Sequence, residues 1–162
     1  MGLAITAILI FAGASFFFAL AETALFSLGK WRAQQLAEQH PVAGKIVARF
    51  GPAGKGLHND GINISAPVGT QVRAAGDGVV AYAGNELKGF GNLLLIKHAD
   101  GWTTAYAHND KLLVARGDKI TQGQVIATVG RTGNVDSPQL HFEVRKGTQA
   151  MDPLEFLAKT GG

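Results

Sequence analysis

Apolar and polar positions alternate with period two over much of the second half of the chain. The clearest case is Gln139-Leu140-His141-Phe142-Glu143-Val144-Arg145, where every second residue is apolar, the pattern of a strand with two unlike faces. Similar short runs occur at Gln71-Val72-Arg73-Ala74, Gly78-Val79-Val80-Ala81-Tyr82-Ala83 and Asn92-Leu93-Leu94-Leu95-Ile96-Lys97-His98. Others are Thr103-Thr104-Ala105-Tyr106-Ala107-His108 and Gln124-Val125-Ile126-Ala127-Thr128-Val129. Asp100-Gly101 and Gly117-Asp118 fall between runs at hairpin spacing. No amphipathic pattern of ordinary helix length lies between Gly56 and Met151. These features predict an all-β, mostly antiparallel domain.

The first residues read differently. Met1 to Ala21 carry no charged side chain, Phe16-Phe17-Phe18 sits among them, and Glu22 is the only charge before Lys30. About 20 apolar residues span a bilayer as a helix, so residues 1–29 are expected to form a membrane helix. A cleaved signal peptide would use Ala19-Leu20-Ala21 but lacks a positive amino-terminal region; a buried helix is the third reading. Residues 30–49, with Trp31, Gln34, Gln35 and Glu38, read as a helical linker interrupted at Pro41. Phe50-Gly51-Pro52-Ala53-Gly54-Lys55-Gly56 reads as a loop. The expected organisation is thus a membrane helix over 1–29, a linker over 30–49, a β domain over 50–158 and a tail over 159–162.

A chain of 162 residues without cysteine has room for one domain with a core and an appendage, and has neither disulfides nor thiolate metal ligands. The net charge of +3 suits an anionic polymer or an acidic partner. No cluster of Lys and Arg with interleaved aromatics is present, so nucleic acid is not an expected partner. Period two places His141 opposite Leu140 and Phe142 and on the same face as Glu143, which is placed to accept its ring N–H; a solvated polar face is the plain alternative. His108 has the same two readings. Asn109-Asp110 reads as a turn, and His40 and His98 as exposed and without a role. Gly89-Phe90-Gly91-Asn92 and Gly130-Arg131-Thr132-Gly133 are expected turns with positive φ. Neither is a phosphate loop, because the Lys-Ser/Thr pair and the strand–helix context are missing.

Three segments then combine: Gly56-Leu57-His58-Asn59-Asp60-Gly61-Ile62-Asn63-Ile64, Ala105-Tyr106-Ala107-His108-Asn109-Asp110, and Ser137-Pro138-Gln139-Leu140-His141-Phe142-Glu143. Together they resemble the motifs of the LytM (lysostaphin-like) zinc peptidases of the bacterial cell wall: His-x-Gly-x-Asp, Tyr-x-His and His-x-His. In that family the first His, the Asp and the final His hold zinc, while the middle His and the first His of the last pair assist catalysis. The resemblance places Asn59, Asn63 and His141 at the ligand positions, and His108 and Gln139 at the catalytic ones. An amide oxygen is a poor replacement for imidazole or carboxylate at zinc. His58 lies one position off the ligand column, so its side chain is expected on the opposite face. Asp60 is the one carboxylate near the site, at the wrong spacing for a ligand.

The resemblance therefore implies the degenerate branch of the family, that of the NlpD- and EnvC-like amidase activators. It implies a two-sheet LytM-type domain with a groove across the sheet face, no bound cofactor and no hydrolysis. Asn59, Asn63, His108, Gln139 and His141 would line a groove for a regulatory segment of a peptidoglycan amidase. Two other readings remain open at this level: an active zinc metalloendopeptidase with an unusual ligand set, and a non-catalytic peptidoglycan-binding module. Residues 1–45 resemble the first membrane helix of the CorC/HlyC-like (CNNM) transporters, but one helix makes no transport pathway. Lys30, Arg32 and Lys45 follow the apolar run, which by the positive-inside rule would put the domain in the cytoplasm. The family works in the periplasm, so an inner-membrane anchor with a periplasmic domain is expected.

Overall fold

The computed structural model describes residues 41–157 of the chain. The expected membrane helix, its transporter resemblance, most of the linker, His40 and the tail lie outside these residues. Among the described residues no helix is long and apolar enough to cross a membrane.

Twelve strands build the described fold: β1 (Lys45–Ala48), β2 (Gly51–Pro52), β3 (His58–Asn59), β4 (Ile62–Ser65), β5 (Gln71–Arg73), β6 (Gly78–Gly84), β7 (Asn92–Lys97), β8 (Trp102–Leu112), β9 (Lys119–Ile120), β10 (Val125–Val129), β11 (Gln139–Lys146) and β12 (Gln149–Met151). A short helix, α1 (Pro153–Leu157), follows. Ten strands form one sheet in the order β1-β4-β11-β8-β7-β6-β9, with β5 and β12 joined through β10 and β11, and β2 and β3 form a second, two-stranded sheet. Every pairing is antiparallel. The all-β, two-sheet expectation holds, and the period-two runs fall on β5, β6, β7, β8, β10 and β11.

Alternation sorts the central strands into two faces. Ile62, Ile64, Leu140, Phe142, Val144, Tyr106, Leu94 and Ile96 are fully buried in the main core. The opposite face carries Asn63, His141 and Glu143 beside a smaller apolar cluster of Leu93, Ala105 and Ala107. His141 and Glu143 are buried too, so the solvated-face alternative does not apply to them. The register brings the functional positions side by side: His141 pairs with Asn63 on one flank and with Ala107 on the other.

Three expectations are corrected. Lys45–Ala48, assigned to a helical linker reaching residue 49, is a strand, because Ile46 pairs with Ile64 at the edge of the sheet. Asn109-Asp110 is not a turn: β8 runs on through it, and Asn109 pairs with Val129. The chain redirects one residue earlier, at His108, whose φ is 65°. His98 is not an inert surface residue. Its Nδ1 lies 2.7 Å from the Asp77 carbonyl oxygen and its Nε2 2.7 Å from Thr104 Oγ1. Thr104 continues to the Tyr106 hydroxyl at 3.1 Å, which accepts the Ala75 N–H at 2.9 Å. Full burial pushes the Tyr106 phenol up to about 12, against the opposing pull of its hydrogen bonds with Thr104 and Ala75.

Candidate functional site

The site is assembled from strands far apart in sequence. Gly61 lets the β3–β4 turn lie on β11: a Cβ there would sit 2.1 Å from the Phe142 carbonyl oxygen. The loops at 88–91 and 130–134 close the other side by mutual contact. Gly91 and Gly133 both adopt positive φ, Asn134 N–H donates to Gly89 O at 3.0 Å, and Asn92 N–H to Thr132 Oγ1 at 3.1 Å. Thr132 O in turn receives His108 Nδ1 at 2.8 Å. The second of the two expected turns is thus the hydrogen-bond partner of the middle histidine.

One continuous polar chain runs through the site. Asn59 Nδ2 donates to Arg49 O and to Asn63 Oδ1, each at 3.1 Å, and Asn59 Oδ1 accepts the Gly61 N–H at 3.3 Å. Asn63 Nδ2 donates to Gln139 Oε1 at 2.9 Å, and Gln139 Nε2 donates to Ser137 O at 3.2 Å and its Oγ at 3.3 Å. His141 Nδ1 stands 3.1 Å from Asn63 Oδ1, and its Nε2 2.9 Å from Glu143 Oε1. Arg145 Nε donates to Glu143 Oε2 at 2.6 Å and its Nη2 to Asp60 Oδ2 at 3.0 Å, and Asp60 meets His58 Nδ1 at 3.0 Å. Backbone groups fix the amide orientations at both ends. Arg49 O and Gly61 N–H settle Asn59; Ser137 O settles Gln139, and through it Asn63.

Electrostatics follow from these contacts. Burial disfavours ionised Glu143, but hydrogen bonds and charge from His141 and Arg145 outweigh it and hold the carboxyl below its usual range. Burial also disfavours charged Arg145, and Glu143 with Asp60 overcomes it, raising the guanidinium further. For His108, burial comes first and lowers the pKa, aided by nearby His141; the bond to Thr132 opposes.

The five expected groove residues therefore converge, although His108 touches the network only at the level of ring packing, with centroids 6.1 Å from His141. The His58 ring packs edge-on against Phe50 and meets Asp60 rather than Asn63. Asp60 binds Arg145 rather than the groove. Arg145, Phe90, Thr132 and Ser137 were not among the five expected groove residues. Arg145 was within reach, since period two puts it on the face of His141 and Glu143. Phe90, whose ring lies 6.2 Å from His141, comes from a loop, and no local signal marks it.

The donor set does not suit a metal. Two of the three ligand positions present neutral amides already engaged with each other, and both His141 ring nitrogens face oxygens. With Nε2 toward Glu143, the Nδ1 side of His141 faces the Asn63 amide oxygen instead of a second imidazole or a carboxylate. Among the described residues no group of three or more His, Cys, Asp or Glu is placed to hold an ion.

Fold and site together define a LytM-type domain in which Asn59 and Asn63, at two ligand positions of the resemblance, are hydrogen-bonded to each other beside His141. The family described as Peptidase family M23 matches residues 57–153, and the chain belongs to that family. It is 51% identical over 112 residues to cell division protein DipM of Caulobacter vibrioides, covering 69% of this chain and 18% of DipM. It is 48% identical over 121 residues to the uncharacterized lipoprotein YgeR of Escherichia coli, covering 75% of this chain and 47% of YgeR. With the murein hydrolase activator NlpD of the same organism it shares 45% over 117 residues, covering 72% of this chain and 30% of NlpD. The chain thus spans less than half the length of these curated relatives. Among solved structures it resembles the catalytic domain of the M23 protein EnpA from Enterococcus faecalis, with TM-score 0.67, 29% identity, and coverage of 78% of this chain and 98% of that one. The lysostaphin catalytic domain of Staphylococcus simulans gives TM-score 0.67 and 31% identity over 71% of this chain and 92% of that one.

Proposed function

We propose that this chain is a non-hydrolysing M23 domain that binds and activates a peptidoglycan amidase during cell-wall remodelling and cell separation. The observation that carries this reading is Asn63. Its carboxamide occupies a ligand position, and its oxygen takes the Asn59 N–H while facing His141 Nδ1. A water-activating centre of this kind needs a metal-bound water, and the residues at the ligand positions hold one another instead, leaving His108 with no metal beside it to serve. The antiparallel sheet that carries them is complete, and on this reading the groove implied by the resemblance takes a polypeptide segment. The names of the relatives DipM and NlpD, a cell division protein and a murein hydrolase activator, support the cell-wall context. The same reading puts the domain on the periplasmic side, against peptidoglycan, held at a membrane through residues 1–29, with no resident zinc.

The test is dye release from labelled peptidoglycan by the full chain, alone and with a periplasmic amidase. Release above the amidase's own rate, and none by the chain alone, is the expected result. Chelator-sensitive release by the chain alone would make it a peptidase and end this proposal. Retention on peptidoglycan with no effect on any amidase would instead favour a plain wall-binding module.

A further inference from the structure

The hydrogen-bonding capacity of the groove floor leaves a definite remainder. Asn59 has committed both N–H groups and receives the Gly61 N–H. Asn63 Oδ1 serves Asn59 and His141, and both Gln139 N–H groups face Ser137. Four capacities are left over among these groups: one lone pair on Asn59 Oδ1 at the Gly61 turn, one N–H on Asn63 Nδ2, one lone pair on Gln139 Oε1, and His108 Nε2. The last is an acceptor. His108 Nδ1 faces the Thr132 carbonyl oxygen at 2.8 Å and must donate to it, which leaves the neutral ring a lone pair on Nε2. Asn63 Nδ2 and Gln139 Oε1 are only 2.9 Å apart, so they offer a donor and an acceptor side by side, and the His108 ring lies 6.1 Å from the His141 ring, centroid to centroid.

Resting on the amidase-activator reading, the geometry points to an asparagine or glutamine side chain of the partner protein as the group this groove recognises. A carboxamide carries two N–H donors and a carbonyl oxygen on one plane. Its oxygen takes the Asn63 N–H, the adjacent N–H meets Gln139 Oε1, and the other N–H reaches His108 Nε2, while its methylenes lie along the Phe90 ring. Other groups match less well. A carboxylate brings no donor to the two acceptors. Lysine or arginine leaves the Asn63 N–H without an acceptor and adds a cation near Arg145. A hydroxyl has a single donor, and a backbone peptide unit supplies one N–H.

Two arms test this with the full chain and an amidase that it activates. In the first, His108→Leu removes the acceptor and His108→Gln keeps an oxygen within reach. Leucine is expected to weaken amidase binding at least about tenfold, the cost of leaving a donor unpaired, and glutamine to restore most of it, with unchanged circular dichroism. In the second, which does not depend on folding of this chain, each Asn and Gln of the amidase's bound segment is changed to Asp or Glu. One position is expected to lose binding by at least about tenfold. Should His108→Leu bind like the parent, or no amidase carboxamide matter, the inference is overturned while activation stands. Should the unaltered chain neither bind nor activate an amidase, the functional reading fails and takes the inference with it. Binding to labelled peptidoglycan that alone responds to His108→Leu would transfer the groove to the stem peptides and overturn the protein-partner assignment.

Discussion

Asn63 shows how one atom changes the chemistry of a position. Its amide nitrogen, in place of a second carboxylate oxygen, donates to Gln139, while the remaining oxygen faces His141. His141 meanwhile keeps a carboxylate partner on Nε2, the arrangement that orients a metal-binding imidazole in general. Asn59→His with Asn63→Asp and Gln139→His is therefore expected to raise zinc affinity by orders of magnitude, measured by isothermal titration against the parent. If the parent already binds zinc tightly, the description of its donor set is wrong. Glu143 anchors the same ring from the other side and is 5% exposed. Glu143→Ala should cost about 1–3 kcal/mol in urea unfolding, since it strips the partner from His141 and half the pairing of the partly exposed Arg145.

At the scale of elements, close approach of the β3–β4 turn to β11 decides whether the site exists at all. Gly61 carries that approach, with no space for a Cβ beside the Phe142 carbonyl and Glu143 Cγ. Gly61→Ala should destabilise the fold by about 1–3 kcal/mol, read from denaturant midpoints. Because the turn holds Asn59 over Asn63, it should also lower amidase activation beyond the loss of folded protein. A variant as stable and active as the parent would mean that the turn can lift without consequence. β8 makes a similar contribution through its bend. The positive φ of His108 lets one strand pair with β11 before the bend and β10 after it, and turns the ring toward the 130–134 loop.

Across the whole molecule, buried titratable groups set the pH response. His98 is held below its ordinary value of 6.5, chiefly by burial, against the raising effect of Asp77. The folded state therefore binds this proton less readily than the unfolded chain. Stability from this group is complete above 6.5 and falls as pH drops below it. His108 acts in the same direction. Glu143, held below its ordinary 4.5, contributes stability above that value that is lost as pH falls through its lowered folded pKa. Thermal midpoints should thus decline in two stages on acidification. His98→Gln should flatten the first stage and leave the second; an unchanged first stage would remove His98 as its source.

Period-two alternation fixes which residues share a face, and so the strands β5 to β8, β10 and β11, the buried Leu140 and Phe142, and the His141–Glu143 pair were all readable in the chain. Asn59, Asn63, His108, Gln139 and His141 could be named only through the resemblance to the family motifs; the sheet register then sets Asn63 beside His141 and His141 beside Ala107. Sequence did not reveal Lys45–Ala48 as a strand, since a four-residue edge segment takes its conformation from β4 rather than from its own propensity. It did not place His98 or Asn109, whose surroundings come from Asp77 in the bend before β6, Thr104 on β8 and Val129 on β10. Nor could it orient the amides. A carboxamide is donor or acceptor depending on which way it faces, and here that is settled by backbone groups of Arg49, Gly61 and Ser137, which only the folded sheet brings to the same place.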